Sequence, residues 1–393
     1  MNIKNYLNKF NKPYDVVFYY PQHFNRSKKG TNPFFDPLID VCKKHNLKYL
    51  LIEEPDKSTK SPRNPKAFKF DFWWSAIMLL RKLVPIGFFT AFHNREEFIG
   101  KLIALFSLGK FKSKNYITIS NSMVNLFSGL NSSSRVFDLQ HGIIYSWHWG
   151  YFNKRGVLRL GLRDKRIHFL LYGEGYANSF YYNAENQHYN ISNRVKIIGD
   201  VLQNNNELIP LSGTKKATVL YSLQLTQDAG KELLEKQKKE LIEFLESISD
   251  LFKRHHLTLL LKHHPRFNNA INIDEVNDRF AFVKFTIQPA SELCKLIFLH
   301  LSQTSTTTFE YARVGIPTWF VSSTINGLGY KIFMEEYAYP ITGDTLEPLM
   351  EIYLRDEETY LQHTQKVISW YQRFYSPFNP EAFLEAITWQ QKK

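Results

Sequence analysis

Short apolar runs rich in β-branched and aromatic residues recur along this chain, separated by stretches with helical spacing. The first such run, DVVFYY from Asp15 to Tyr20, reads as a buried strand. A polar loop extends to Asn32. Leu38, Ile39, Val41 and Cys42 then repeat at helical intervals between Pro37 and Lys44, and KYLLI, Lys48 to Ile52, predicts the next strand. Strand, loop, helix, strand is the opening of a doubly wound α/β domain. Further strands are predicted over Tyr116 to Ser120, Arg135 to Leu139, Ile167 to Tyr172 and Val195 to Ile198. Helices are predicted near Glu96 to Phe106 and over Asn121 to Leu130.

The polar run Gln203 to Lys216, with its Asn, Pro and Gly residues, reads as an interdomain linker. ATVLYSL, Ala217 to Leu223, restarts the α/β pattern. Asp228 is placed to cap a long helix with one apolar face, Leu234, Leu241, Leu245, Ile248 and Phe252. Strands follow at Leu257 to Leu261 and around FAFVKF, and Leu296 to Leu301 opens into a hydroxyl-rich turn. STINGLGY, Ser323 to Tyr330, is expected as a flexible loop. Helices close the chain over Leu346 to Leu354, Asp356 to Tyr375 and Asn379 to Gln391. Two domains are expected, residues 1–203 and 204–378, with the helix in 379–393 seeking a partner surface on the first.

Composition narrows the class. With 44% hydrophobic and 22% charged residues the chain is globular, and its net charge of +13 favours anionic partners such as nucleotides or acidic glycans. Two cysteines, Cys42 and Cys294, argue against a disulfide framework or a zinc cluster and fit a reducing compartment. The polar, Lys-rich N-terminus carries no signal-peptide pattern, so a cytoplasmic location is expected. The most membrane-like segment, Phe70 to Phe92, is interrupted by Arg81, Lys82 and Pro85, leaving an apolar stretch too short to span a bilayer. It is expected as a core helix, with an interfacial helix as the alternative.

Candidate chemistry gathers at predicted strand ends, where open α/β sheets bind ligands. The Arg135 strand runs into Gln140-His141-Gly142. His141 is placed for a general base or for a structural histidine, and Gly142 for a tight turn and close ligand approach. Aromatics and cations interleave from Trp147 to Arg166, including Arg155, which suits sugar stacking beside an anion, single-stranded nucleic acid, or a plain basic surface. The Ile167 strand opens into Gly173-Glu174-Gly175. The Leu257 strand delivers Lys262-His263-His264-Pro265, where proline ends the strand and holds His264 extended toward any phosphate over the sheet. Ser302, Ser305 and Thr306 supply hydroxyls around free helix-start amides, an anion site that requires no metal. Thr307 and Glu310 also fit a capping box. No Walker loop, dinucleotide fingerprint or acidic metal cluster occurs, so neither a cofactor nor a metal is expected.

Three blocks in order, Gln140-His141-Gly142, Lys262-His263-His264-Pro265 and Ser302-Gln303-Thr304-Ser305-Thr306 leading to Glu310 and Gly315-Ile316-Pro317, resemble bacterial cell-surface polymer transferases. These are the CDP-glycerol glycerophosphotransferases, capsule Kdo transferases and bacterial sialyl- and polysialyltransferases. The resemblance spans residues 135–321 and implies a GT-B fold, two facing Rossmann-like domains with a cleft between them. It implies His141 as acceptor-side base, His264 as a contact to the donor phosphate, and Ser305 with Thr306 as the phosphate-binding pair. Lys262, Ser302 and Glu310 join the donor side; Gly142, Glu174, Trp147 and Arg155 join the acceptor side. Gln303 stands where an Asp is common in these families. The implied partners are a CMP-sugar or CDP-polyol donor and a glycan or lipid-linked glycan acceptor, with peripheral contact at the cytoplasmic membrane face and no nucleic acid. The alternatives are a non-catalytic basic, aromatic-rich binding protein, or an epimerase or hydrolase on the same frame.

Overall fold

The structure is a computed structural model that describes residues 13–21, 31–55, 63–202, 217–223, 231–263, 271–303, 305–321, 339–340 and 343–388. The chain divides into two compact units, one of residues 1–205 with 374–393, the other of residues 206–373. Both are α/β units on parallel sheets. The linker expected over 203–216, the cap Asp228 and the loop 323–330 lie outside the described residues.

The first unit contains β1 (Tyr14–Tyr20), α1 (Asp36–Lys44), β2 (Tyr49–Glu53), β3 (Phe68–Lys69), α2 (Asp71–Leu83), α3 (Phe92–Phe106), β4 (Ser113–Ile119), α4 (Val124–Leu130), β5 (Arg135–Leu139), β6 (Ile167–Leu171), α5 (Glu174–Tyr181) and β7 (Val195–Ile197). Its strands run in the order β3-β2-β1-β4-β5-β6-β7, all pairings parallel. Alternate residues of each strand point to opposite faces. Phe18 of β1 meets Phe35 before α1 (5.5 Å), whereas Tyr19 meets Phe127 of α4 (5.1 Å). Both faces are therefore covered, and this is why β1 reads as an unbroken apolar run.

The second unit contains β8 (Thr218–Ser222), α6 (Lys231–Arg254), β9 (Thr258–Lys262), α7 (Ile273–Arg279), β10 (Val283–Thr286), β11 (Leu299–Ser302), α8 (Thr307–Ala312), β12 (Thr318–Phe320), β13 (Tyr339–Pro340), α9 (Gly343–Arg355) and α10 (Glu357–Phe374). The strand order is β10-β9-β8-β11-β12-β13. Val219 and Tyr221 join the cluster formed with Leu241, Leu245 and Phe252 of α6, while Leu220 between them joins Leu293, Ile297 and Tyr311 on the other face.

The last helix, α11 (Pro380–Thr388), belongs to the first unit. Phe383, Ala386 and Ile387 enter the core that holds Val16, Phe18 and Leu38. Its final carbonyls are satisfied from the sheet: Asn115 donates to the Ile387 carbonyl (3.0 Å), and Arg135 donates to those of Ala386 (3.0 Å) and Ile387 (2.6 Å). The entry is equally constrained. Gly199 sits at φ +83°, and a Cβ there would fall 2.0 Å from the Pro377 carbonyl oxygen.

One expectation fails. The segment Phe70 to Phe92 is not a core helix, because α2 buries only Ile77 completely, and Phe72, Leu79, Leu83, Ile86, Phe88 and Phe92 are exposed. Asp71, Ser75 and Lys82 mark one narrow polar side, and the apolar arc that remains is too wide for periodicity to tell which part of it neighbouring elements cover.

Candidate functional site

In the first unit, strand reversal falls between β1 and β4, and His141, Gly142 and Glu174 follow the carboxyl ends of β5 and β6 in the same sheet. Gln140, fully buried, fixes the turn after β5: its amide nitrogen donates to the Gly142 carbonyl (2.7 Å), and its carbonyl oxygen accepts from the Tyr172 amide (2.8 Å). His141 is thereby presented half-buried between the ends of β5 and β6. Gly142 does not occupy the left-handed region, and a Cβ on it would meet no atom within 4 Å. The turn therefore does not require glycine. Glu174, exposed, opens α5 at the end of the neighbouring strand.

Asp138, two residues before Gln140, is buried. Its carboxylate accepts from the Asn121 amide (2.6 Å) and the Tyr151 hydroxyl (2.7 Å). Burial outweighs these bonds and pushes the carboxyl up to about 7. Tyr151 is thus the internal anchor of the segment Trp147 to Arg166. Around it Trp147 stands on edge against Tyr145 (5.9 Å), and Trp149 is 75% exposed and stacked beside His148. Several cations of the segment serve the loop itself. Arg159 donates to the Trp149 carbonyl, Arg163 to that of Leu158, and Arg166 pairs with Asp164 and Glu97. Arg155 is exposed, and its carbonyl accepts from Asn183, beyond the end of α5 opposite Glu174. Eight residues of helix, ~12 Å, separate that contact from Glu174.

In the second unit, the strand order reverses between β8 and β11. The last residues of three adjacent strands pair side by side at that point: Lys262 of β9 with Ser222 of β8, and Ser222 with Ser302 of β11. A chain of hydroxyls surrounds them. The Ser302 hydroxyl accepts from the Ser305 amide (2.9 Å), the Ser305 hydroxyl accepts from the Thr307 amide (3.2 Å) and hydroxyl (2.9 Å), and Thr307 reaches Ser222 at 3.5 Å. The expected capping box is replaced by this network. The helix begins at Thr307, with Thr306 in the cap position making no side-chain cap bond, and Glu310 lies in its first turn. Thr306 is exposed at the same turn.

Charge is concentrated here. Partial burial lowers the Lys262 ammonium, with Glu310 opposing that shift, while burial raises the Glu310 carboxyl and Lys262 pulls it back. Lys262 also donates to the Gln288 carbonyl. His263 stacks on Phe285 (5.1 Å) and is a packing histidine. His264 and Thr304 lie outside the described residues.

Two participants were missed in the sequence. Ser222 ends a strand about forty residues before Lys262 and eighty before Ser302, and nothing local marks it. His300, completely buried in β11, bonds Thr318 Oγ1 (2.8 Å) and Ser222 Oγ (2.9 Å), and burial drives it down to about 3. The neutral imidazole thus fixes the Ser222 hydroxyl in place. The polar residue within the apolar run Leu296 to Leu301 was the available signal.

No protein-family model and no curated protein sequence matches the chain. Solved structures do. The UDP-GlcNAc 2-epimerase of Neisseria meningitidis, bound to UDP-GlcNAc, matches over 95% of this chain and 99% of its own, with TM-score 0.55 and 11% identity. The wall teichoic acid polymerase TagF matches over 96% and 89%, with TM-score 0.53 and 15% identity. MnaA of S. aureus, solved with UDP, matches over 95% of both chains, with TM-score 0.51 and 10% identity. At such identities the likeness is one of fold, and the fold of this chain is GT-B, shared by epimerases and transferases alike.

Proposed function

We propose that this chain is a metal-independent, inverting transferase that uses a nucleotide-activated donor, a CMP-sugar or CDP-linked group, to build a bacterial capsule or surface polysaccharide. The observation that carries the reading is the row Lys262, Ser222 and Ser302 at the strand reversal of the second sheet, backed by Ser305 and Thr307. One ammonium and several hydroxyls on adjacent strand ends suit a phosphate group, the feature every nucleotide donor shares. In this proposal Lys262, Ser305 and Thr306 hold the donor phosphates and stabilise the leaving nucleotide, while Ser302, completely buried, fixes the Ser305 turn rather than touching the donor, and His264 takes the role its family resemblance implies. Glu310 tunes Lys262. His141 takes the proton from the acceptor hydroxyl as that oxygen attacks the activated carbon or phosphorus. Glu174, Gly142 and Trp147 line the acceptor side.

A second reading, epimerisation of a nucleotide-sugar, is favoured by the likeness in fold to a UDP-GlcNAc 2-epimerase solved with UDP-GlcNAc. The two readings separate on the base and on the need for an acceptor. In a thermal-shift panel of CMP, CDP, UDP and GDP, a cytidine nucleotide is expected to raise the melting temperature of the parent chain, and Lys262→Ala is expected to weaken that binding about tenfold. Selectivity for UDP, with a nucleotide-sugar converted in the absence of any acceptor, would replace the transferase with the epimerase. Turnover is expected to persist in a chelator.

A further inference from the structure

The surface of α2 is inverted relative to an ordinary surface helix. Phe72, Leu79 and Leu83 lie seven and four residues apart along its solvent side, 73%, 55% and 66% exposed. The stripe continues through the turn Ile86–Phe88, where Phe88 is 81% exposed, to Phe92 at the start of α3. These side chains are presented by a braced element. Arg81 donates to both carboxylate oxygens of the buried Glu96 (3.2 and 3.0 Å), tying α2 to α3, and Trp73 packs edge-on against Phe111 (5.5 Å). A rigid apolar ridge of this size is unusual on a monomer unless something covers it.

Charge identifies what covers it. Residues 66–114 contain nine Lys and Arg (Lys66, Lys69, Arg81, Lys82, Arg95, Lys101, Lys110, Lys112, Lys114) against three acids (Asp71, Glu96, Glu97), a local net of +6. Arg81 and Arg95 are consumed by Glu96, whereas Lys66, Lys69, Lys82 and Lys110 are exposed. A second copy of the chain would bring the same cations against these. An anionic lipid surface would not, and lysine stems beside apolar side chains can reach headgroups while the ridge enters the acyl boundary. Among the described residues no helix is long and apolar enough to cross a membrane, so the ridge would lie in the interface.

We propose that α2 and the turn to Phe92 form a docking surface for a membrane bearing anionic headgroups, entered by Phe72, Leu79, Leu83, Ile86 and Phe88. The surface lies outside the donor and acceptor residues assigned above, and its test uses no nucleotide and no turnover, so it stands or falls separately from the proposed activity.

The full chain is floated with phosphatidylcholine vesicles containing about one-third phosphatidylglycerol, and with phosphatidylcholine alone. Co-flotation is expected with the anionic vesicles and is expected to weaken in high salt. The Phe72→Ser, Leu83→Ser, Phe88→Ser variant is expected to lose at least about tenfold of that partition at unchanged melting temperature, since the three side chains are already exposed. Lys69→Glu with Lys82→Glu is expected to weaken it with the apolar ridge intact. A parent chain that stays unbound, or a triple variant that partitions like the parent, overturns the proposal. A parent dimer by light scattering that the triple variant converts to monomer also overturns it, assigning the ridge to a second copy.

Discussion

Asp138 and His141 lie three residues apart yet carry different kinds of expectation. Asp138 is a buried carboxyl whose folded form keeps its proton up to about 7, well above its ordinary range. A proton held by the folded chain and released by the unfolded one makes this stabilising contribution complete below about pH 4 and lost as pH rises toward 7. Asp138→Asn is therefore expected to flatten the pH dependence of stability between those values by ~1 kcal/mol per pH unit. Urea unfolding of parent and variant side by side checks this, because the opposite slope from the buried, neutral His168 and His300 is common to both. His141 belongs to the proposed chemistry. His141→Ala is expected to lower transfer by roughly 10²–10⁴-fold while leaving nucleotide affinity unchanged. An active variant would remove it as the base. Of the single residues, His141, Lys262 and Ser305 were legible because each follows an apolar run at a strand end. Ser222 was not, since Leu223 follows it and the apolar run reads on past it.

At the scale of elements, the terminal helix α11 shows how a local pattern and a distant surface cooperate. Its apolar face is readable from Phe383, Leu384 and Ile387, but the groups that cap it, Asn115 and Arg135, come from strands more than 250 residues away. Phe383, fully buried, contributes roughly 1.5–3 kcal/mol. The path into this helix depends on Gly199, where both the positive φ and the Pro377 carbonyl exclude a side chain. Gly199→Ala is expected to destabilise the chain by more than ~1 kcal/mol, read by denaturant unfolding. An unaffected midpoint would show that the segment after α10 accommodates a methyl group. The opposite lesson comes from α2, whose composition predicted burial and whose setting leaves it exposed.

For the molecule as a whole, two parallel sheets with the strand order of doubly wound folds carry their proposed site residues by the same rule, at the carboxyl ends of strands. Local pattern dictated the alternation of strands and helices, because strands buried on both faces must be continuous apolar runs and amphipathic helices must repeat every three to four residues. It also located most of the proposed site, because polar residues at the end of such runs are conspicuous. The tertiary structure alone decided which strand ends become neighbours, and so that Lys262, Ser222 and Ser302 form one row with His300 beneath it. It alone decided which side of α2 remains bare. The physical reason is shared: pairing order and coverage depend on contacts between segments tens of residues apart, and no local periodicity encodes a partner.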